Sequence, residues 1–302
     1  MKIIITGATG FIGRSLLPKL FESHETAIVV RSKKKAMEMF PNHNVKIIDI
    51  TDPDYKSEIR AFNATVLVHL ATFLNSKKRS DVNIHEFIEA NILFGTQVLN
   101  SMVGTDISYV INVGTCLEYR NNSTVPYSSD LYSATKTAFR SVIAYYQNLI
   151  GFKWINVIPF SIYGHGAPKI VLDYICESLI STEPINFTQG DQIIDLIHIE
   201  DVIWFFETLI NNIDKINQPY SEFEIGTSQG ISIKELVSVF EKKTNKKANI
   251  IWGGLDYSEL ASMYNVAKPE KRFNQWSPEY KLHQAVTDYL AKYKIDSIGD
   301  NF

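Results

Sequence analysis

The segment Lys2–Thr6, KIIIT, runs straight into Gly7-Ala8-Thr9-Gly10-Phe11-Ile12-Gly13, after which helical periodicity continues to Phe21. A β-branched run, a loop with glycine at every third position, and an amphipathic helix form one βα unit. Gly7 permits a tight turn and Gly10 lets backbone N–H groups approach a pyrophosphate. Gly13 lets the helix pack closely on the sheet, and the helix N-terminus favours an anion. The loop predicts dinucleotide binding through Gly7, Thr9, Gly10, Phe11, Ile12 and Gly13.

The same alternation continues. Thr26–Val30, Val45–Ile48, Val66–Leu70, Tyr109–Val113 and Trp154–Ile158 read as buried strands, while Phe11–Phe21, Ile84–Met102 and Asp130–Ile150 read as helices. Near-continuous apolar strands separated by helices predict an α/β fold: a Rossmann-type doubly wound parallel sheet, with ligand at the carboxyl ends of its strands. After Pro159 the pattern loosens around Gly164, Gly166, Pro168, Pro184 and Gly190, with a helix at Asp201–Asn211, a strand at Phe223–Ile225 and a helix at Ile233–Thr244. The expected division is a dinucleotide-binding domain over residues 1–160, to which segments around 195–225 return, and a smaller α/β substrate lobe over 161–302.

Hydrophobic residues make up 45% of the chain and charged residues 21%, with a net charge of −3. That composition fits a globular protein and leaves no basic footprint for nucleic acid or an anionic membrane. Two cysteines, Cys116 and Cys176, cannot build a disulfide framework, and no Cys/His cluster predicts a metal site. With a strand starting at Lys2 and no apolar run of about 18 residues, the expectation is a cytoplasmic protein without a signal peptide or membrane span.

The end of the second strand bears on cofactor choice. An acid there would bind a ribose 2′-hydroxyl, whereas a basic residue accommodates a 2′-phosphate. The chain reads Val30-Arg31-Ser32-Lys33, so Arg31 and Ser32 predict NADPH over NADH, with NADH still possible.

Tyr132-Ser133-Ala134-Thr135-Lys136 sets a phenol and an ammonium one helical turn apart. The nearby cation is expected to lower the tyrosine pKa, making Tyr132 a general acid for a carbonyl oxygen that receives hydride. About one YxxxK pair is expected by chance at these tyrosine and lysine counts, and a second, Tyr264 with Lys268, lies in the loose C-terminal half. Context favours the first, which opens a helix after the fifth strand. At that strand's end, Val113-Gly114-Thr115-Cys116, the Thr115 hydroxyl is positioned to donate to a substrate carbonyl or to close a turn.

Taken together, TGATGFIG, HLAT at His69–Thr72, ANILFGTQVL at Ala90–Leu99, YSATK, PFSIYG at Pro159–Gly164 and DLIHIEDV at Asp195–Val202 resemble, in order, the extended short-chain dehydrogenase/reductases of the NAD-dependent epimerase/dehydratase family. The resemblance implies that Asp49 and Ile50 flank the adenine and that Leu70, Ala71 and Thr72 line the ribose and phosphates. It also implies that Pro159 lies beside the nicotinamide, that Val113 contacts the cofactor, that Lys136 holds the nicotinamide ribose, and that Asn91 either contacts the cofactor or anchors the sheet edge. Dehydratases of the family resemble one another in an acidic pair after the active-site threonine, where this chain has Cys116 and Leu117. An apolar side chain cannot shuttle the protons that eliminate water. The segments NVGTCLEYR, LYSATKTAF and FTQGDQIIDLIHIEDV are most similar to the CDP-abequose/CDP-paratose synthase group, which implies reduction of the C4 ketone of a nucleotide-linked deoxyhexose. Cys116 is an expected substrate contact. Ile194 stands where many members have a diphosphate-binding arginine, so Lys169 is the expected replacement, ahead of Arg272 and Lys271. A nucleotide-sugar 4-epimerase with tightly held NAD and a non-catalytic dinucleotide-binding protein are the rival readings. The resemblance further implies a homodimer built on Ile84–Met102 and the Tyr132 helix.

Overall fold

The computed structural model describes residues 1–41, 45–74 and 83–298. It separates into two compact units, one of residues 1–118, 128–158 and 206–223, the other of residues 119–127, 159–205 and 224–302.

In the first unit the chain alternates β1 (Lys2–Thr6), α1 (Phe11–Phe21), β2 (Glu25–Val30), α2 (Lys33–Met39), β3 (Lys46–Asp49), α3 (Tyr55–Phe62) and β4 (Val66–His69). It continues through α4 (Ile84–Ile88), a π-helical turn (Glu89–Leu93), α5 (Phe94–Ser101), β5 (Tyr109–Val113), α6 (Leu131–Ile150) and β6 (Lys153–Pro159). The strands order as β3-β2-β1-β4-β5-β6, with parallel pairing throughout. Strand order reverses between β1 and β4, and in such sheets the crevice at that point holds the ligand. Ile3, Ile4, Ile5, Ala27, Ile28, Val29, Val66 and Val68 are essentially inaccessible. Burial on both faces is why these strands read as unbroken apolar runs.

The expected single helix over Ile84–Met102 is interrupted. The π-helical turn carries an extra residue, and buried Asn91 lies inside it. Its carboxamide accepts from Phe73 N–H at 2.7 Å and donates to the Phe73 carbonyl at 3.1 Å and Thr135 Oγ1 at 2.9 Å. Widened turns of this kind are a recognised device at functional sites.

The second unit is built from β7 (Ser161–Tyr163), α7 (Val171–Ile180), β8 (Ile185–Phe187), β9 (Ile193–His198) and the first part of α8 (Ile199–Asn211). After β10 (Tyr220–Ile225), which joins the large sheet beside β6, come β11 (Gly230–Ser232), α9 (Ile233–Thr244), β12 (Ile250–Trp252), β13 (Tyr264–Asn265) and α10 (Leu282–Lys292). β9 is flanked by antiparallel β11 and parallel β13 and also pairs with β7. Leu172, Ile175, Cys176, Leu236, Phe240, Val286 and Tyr289 join α7, α9 and α10 in one apolar cluster. Among the described residues no helix is long and apolar enough to cross a membrane.

Candidate active site

The glycine loop is shaped so that side chains would fill it. Gly7 has φ +69°, and a Cβ there would lie 2.6 Å from the Ala71 nitrogen. A Cβ on Gly13 would lie 2.2 Å from the Gly7 carbonyl oxygen, closer than any carbon can come. Gly10 caps α1 with no side chain on the first-turn N–H groups and no acid in that turn. An uncapped helix start facing a backbone-lined cradle suits an anion, so these residues fit a dinucleotide pyrophosphate. Thr9, Phe11 and Ile12 are partly exposed around it.

Arg31 is exposed immediately beyond β2, and Ser32 caps α2 by accepting from Lys35 N–H at 3.3 Å. Asp49 is buried at the end of β3. Its carboxylate accepts from Lys33 N–H at 2.7 Å, Thr51 N–H at 3.0 Å and the Thr51 hydroxyl at 2.7 Å. Burial raises its pKa, but these hydrogen bonds outweigh it and hold the group below its ordinary value. Asp49 therefore fixes the loop beside Ile50. Leu70 N–H donates to the Thr6 carbonyl and Ala71 N–H to Thr6 Oγ1, which fastens the Leu70–Thr72 turn to β1. The Asn91 carboxamide is engaged by this turn and α6, which is its anchoring role. Pro159, partly exposed, ends β6.

His69 ends β4 with Nδ1 2.8 Å from Thr6 Oγ1. Thr6 Oγ1 also accepts from Ala71 N–H, so the hydroxyl links β1 to both His69 and the turn after β4. Burial, with help from the Lys136 charge, drives the His69 pKa to about 3, so the ring stays neutral.

α6 opens on a capping box, in which Asp130 accepts from Ser133 N–H at 2.8 Å and Asp130 N–H donates to Ser133 Oγ at 3.1 Å. This fixes Tyr132 in the first turn and buries Lys136 one turn later. The Tyr132 phenol makes a hydrogen bond with Thr72. Its pKa is raised, contrary to the expected lowering by Lys136. Burial is the main cause, and Glu118, Cys116 and Asp130 add repulsion against a phenolate, while the Thr72 hydrogen bond pulls the other way. Tyr132 is consequently held in the protonated form, which is the form a general acid needs. Lys136 is lowered to about 8 by burial, with Glu118 resisting that fall.

Thr115 is buried after β5, where its Oγ1 accepts from Leu117 N–H at 3.3 Å and leaves the hydroxyl proton free to donate. It therefore both closes the turn and keeps a donor. Cys116 is partly exposed beside it. Sequence reasoning passed over Glu118, which is completely buried. A carboxylate two positions before the polar end of a loop reads as solvated, and the signal that could have found it is Gly114: a Cβ there would lie 2.4 Å from Glu118 Oε1.

In the second unit the expected substrate cation is engaged. Lys169 Nζ lies 2.7 Å from the Glu177 carboxylate, and this exposed pair raises the lysine pKa. Ile194 pairs with Ile231 and packs on the apolar cluster. Buried Asp195 accepts from Thr227, Ser228 and Ala267 N–H groups and so shapes the turn between β10 and β11. Arg272 donates from Nη2 to Ser228 Oγ at 3.0 Å and the Thr227 carbonyl at 3.3 Å on that turn. Arg272 also lines a cavity of about 560 Å³, with Lys242, Lys281, Gln229 and Tyr280. The second YxxxK pair does not share a helical face, since Tyr264 is in β13 and Lys268 in the following loop.

These features describe a parallel sheet with a glycine-lined cradle after β1, Thr115 after β5, and Tyr132 and Lys136 in the first turns of α6. Residues 3–226 match the NAD dependent epimerase/dehydratase family. The chain belongs to this family of extended short-chain dehydrogenase/reductases, which are NAD-dependent enzymes. It is similar to the CDP-abequose synthase of Salmonella typhimurium, with 22% identity covering 96% of this chain and 97% of the relative. The Yersinia pseudotuberculosis CDP-abequose synthase is 23% identical, covering 97% of this chain and all of the relative. Among solved structures, a UDP-glucuronic acid 4-epimerase from Bacillus cereus in complex with UDP-glucuronic acid and NAD superposes with a TM-score of 0.81 at 19% identity, covering 97% of this chain and 99% of that one.

Proposed function

We propose that the protein uses NADPH to reduce the C4 ketone of a nucleotide-linked 4-keto deoxyhexose, the reaction class of CDP-abequose synthases. The observation that carries this reading is Tyr132, held protonated by burial in the first turn of α6 near Cys116 and Glu118, while Cys116 and Leu117 supply no acid for elimination. The full-length similarity to two CDP-abequose synthases supports the substrate class. The exposed Arg31 supports a 2′-phosphate.

When bound, the reduced nicotinamide supplies hydride. Tyr132 Oη gives its proton to the developing alkoxide, and Thr115 Oγ donates a hydrogen bond that orients the ketone oxygen. The buried Lys136 ammonium would offset the tyrosinate left behind and would hold the nicotinamide ribose. The glycine loop at the start of α1 would hold the pyrophosphate. Lys169, whose surface ion pair with Glu177 a phosphate can displace, remains the cation we assign to the substrate phosphates, with Arg272 on the Thr227–Ser228 turn as the alternative. The active form we propose is a homodimer.

Comparing dissociation constants tests the cofactor assignment: NADPH should bind more tightly than NADH, and Arg31→Asp should reverse the order. Tighter NADH binding by the unaltered protein would overturn it. Tightly bound NAD in the purified protein, with interconversion of 4-epimers, would instead establish an epimerase.

A further inference from the structure

Glu118 is a fully buried carboxylate beside Tyr132 and Lys136, and nothing in the proton delivery described above uses it. It follows β5 in the short helical turn Cys116–Glu118 and is fully buried. Oε1 accepts from Thr115 N–H at 2.9 Å and Oε2 from the Thr137 hydroxyl at 3.1 Å, one position past Lys136. Arg140 Nη1 lies 3.6 Å from Oε2, and Arg140 Nη2 reaches Glu222 Oε2 at 2.9 Å. Room for the carboxylate comes from the missing side chain of Gly114. A carboxylate removed from water is costly unless charged and hydrogen-bonding partners surround it, and here every partner belongs to the turn carrying Thr115 or to the helix carrying Tyr132 and Lys136.

We propose that Glu118 is a positioning residue: its carboxylate ties the Thr115 backbone to α6 and supplies the buried negative charge against which the Lys136 ammonium is held. The inference rests on the reading of Tyr132 and Lys136 as the proton-delivering pair. The charge arrangement gives it a direction. Burial alone drives Lys136 toward the neutral amine, and Glu118 opposes this. Burial likewise raises Glu118, opposed by Arg140, the Thr115 N–H, Lys136 and Thr137. The other titratable groups around the pair are His69 from β4, Cys116 from the turn and Tyr132 from α6, with Glu222 and Tyr220 behind Arg140. His69 is neutral, so Glu118 is the anion that sustains the lysine charge. It also repels a phenolate on Tyr132, which keeps the acid protonated until a substrate oxygen draws the proton.

The test is a pH titration of Lys136 by lysine-selective NMR of the full-length protein, assigned with Lys136→Met, beside the pH profile of turnover. Glu118→Gln keeps an acceptor for Thr115 and removes the charge. The expected result is a Lys136 midpoint about one unit below the wild type, with the alkaline limb of kcat moving by the same amount. Should Glu118→Gln fail to fold, Arg140→Gln removes the competing cation, and the Lys136 midpoint is expected to rise. A folded Glu118→Gln protein whose Lys136 midpoint stays within a few tenths of a unit of wild type overturns the inference, as does a fall in Arg140→Gln. A shifted midpoint with an unmoved kcat limb supports the link between Glu118 and Lys136 and contradicts the catalytic reading of Lys136.

Discussion

Gly13→Ala adds a single methyl group at the closest approach in the cofactor cradle. The new Cβ would lie 2.2 Å from the Gly7 carbonyl oxygen and 2.7 Å from Ala8 Cα. An ordinary carbon–oxygen contact needs about a further ångström. α1 cannot supply that displacement freely, because Leu16, Leu17 and Leu20 are fully or nearly fully buried against the sheet. Nor can the loop retreat, since Gly10 N–H is tied to the Gly7 carbonyl at 2.9 Å and a Cβ on Gly7 would already strike Ala71. Overpacking at such a site costs about 1–3 kcal/mol. Part of that cost appears as a Tm lowered by several degrees, and the rest as distortion of the N–H groups facing the pyrophosphate. NADPH affinity, read by quenching of intrinsic fluorescence, should fall about tenfold or more. Unchanged Tm and unchanged NADPH affinity in Gly13→Ala would refute the argument that this loop is packed to its limit around the cofactor.

Other expectations follow from the same geometry. Tyr132→Phe should lower kcat about 10²–10⁴-fold while leaving the NADPH dissociation constant within about twofold, as measured by turnover and titration; an undiminished kcat would remove Tyr132 from the proton step. Because Lys136 is lowered to about 8, its charge is complete below that pH and lost above it, so kcat should hold near neutrality and decline above pH 8. His69 is driven to about 3, so between its ordinary value and pH 3 the unfolded chain binds the extra proton. That contribution to stability is present above about pH 6.5 and is lost as the pH falls, at a slope of up to about 1.4 kcal/mol per unit. Chemical denaturation across pH 4–7 should accordingly show a shallower dependence in His69→Phe than in the wild type.

The large sheet was legible because local signals agreed with the fold. β1, α1, β5 and α9 have the bounds their residues predict, since apolar runs and period-3.6 stripes end where glycine, asparagine or a capping serine intervenes. The second unit was harder. α7 and α10 lie among prolines and glycines that read as breaks. β7, β11, β12 and β13 have only two or three residues each, stabilised by partners distant in sequence, such as Ile231 with Ile194 and Tyr264 with Ile193. Such pairing leaves little local trace.

The candidate site divides along similar lines. Tyr132 and Lys136 are legible because four-residue spacing is a property of one helix. Glu118 is not, because its burial depends on Gly114 and on Thr137 and Arg140 arriving from α6. For the same reason the Tyr132 pKa could not be judged from the adjacent cation alone: burial and the Glu118 charge decide its direction. The engagement of Lys169 by Glu177 likewise depends on the loop leading into α7.

The most direct measurement is NADPH oxidation by the purified protein, offered CDP-, dTDP- and GDP-linked 4-keto-6-deoxy and 3,6-dideoxy sugars in parallel. Stoichiometric NADPH consumption is expected with a member of this panel, giving a product in which the C4 ketone has become an alcohol. No oxidation with any of them, under conditions where NADPH binds, would contradict the assignment of the protein as a nucleotide-sugar 4-ketoreductase.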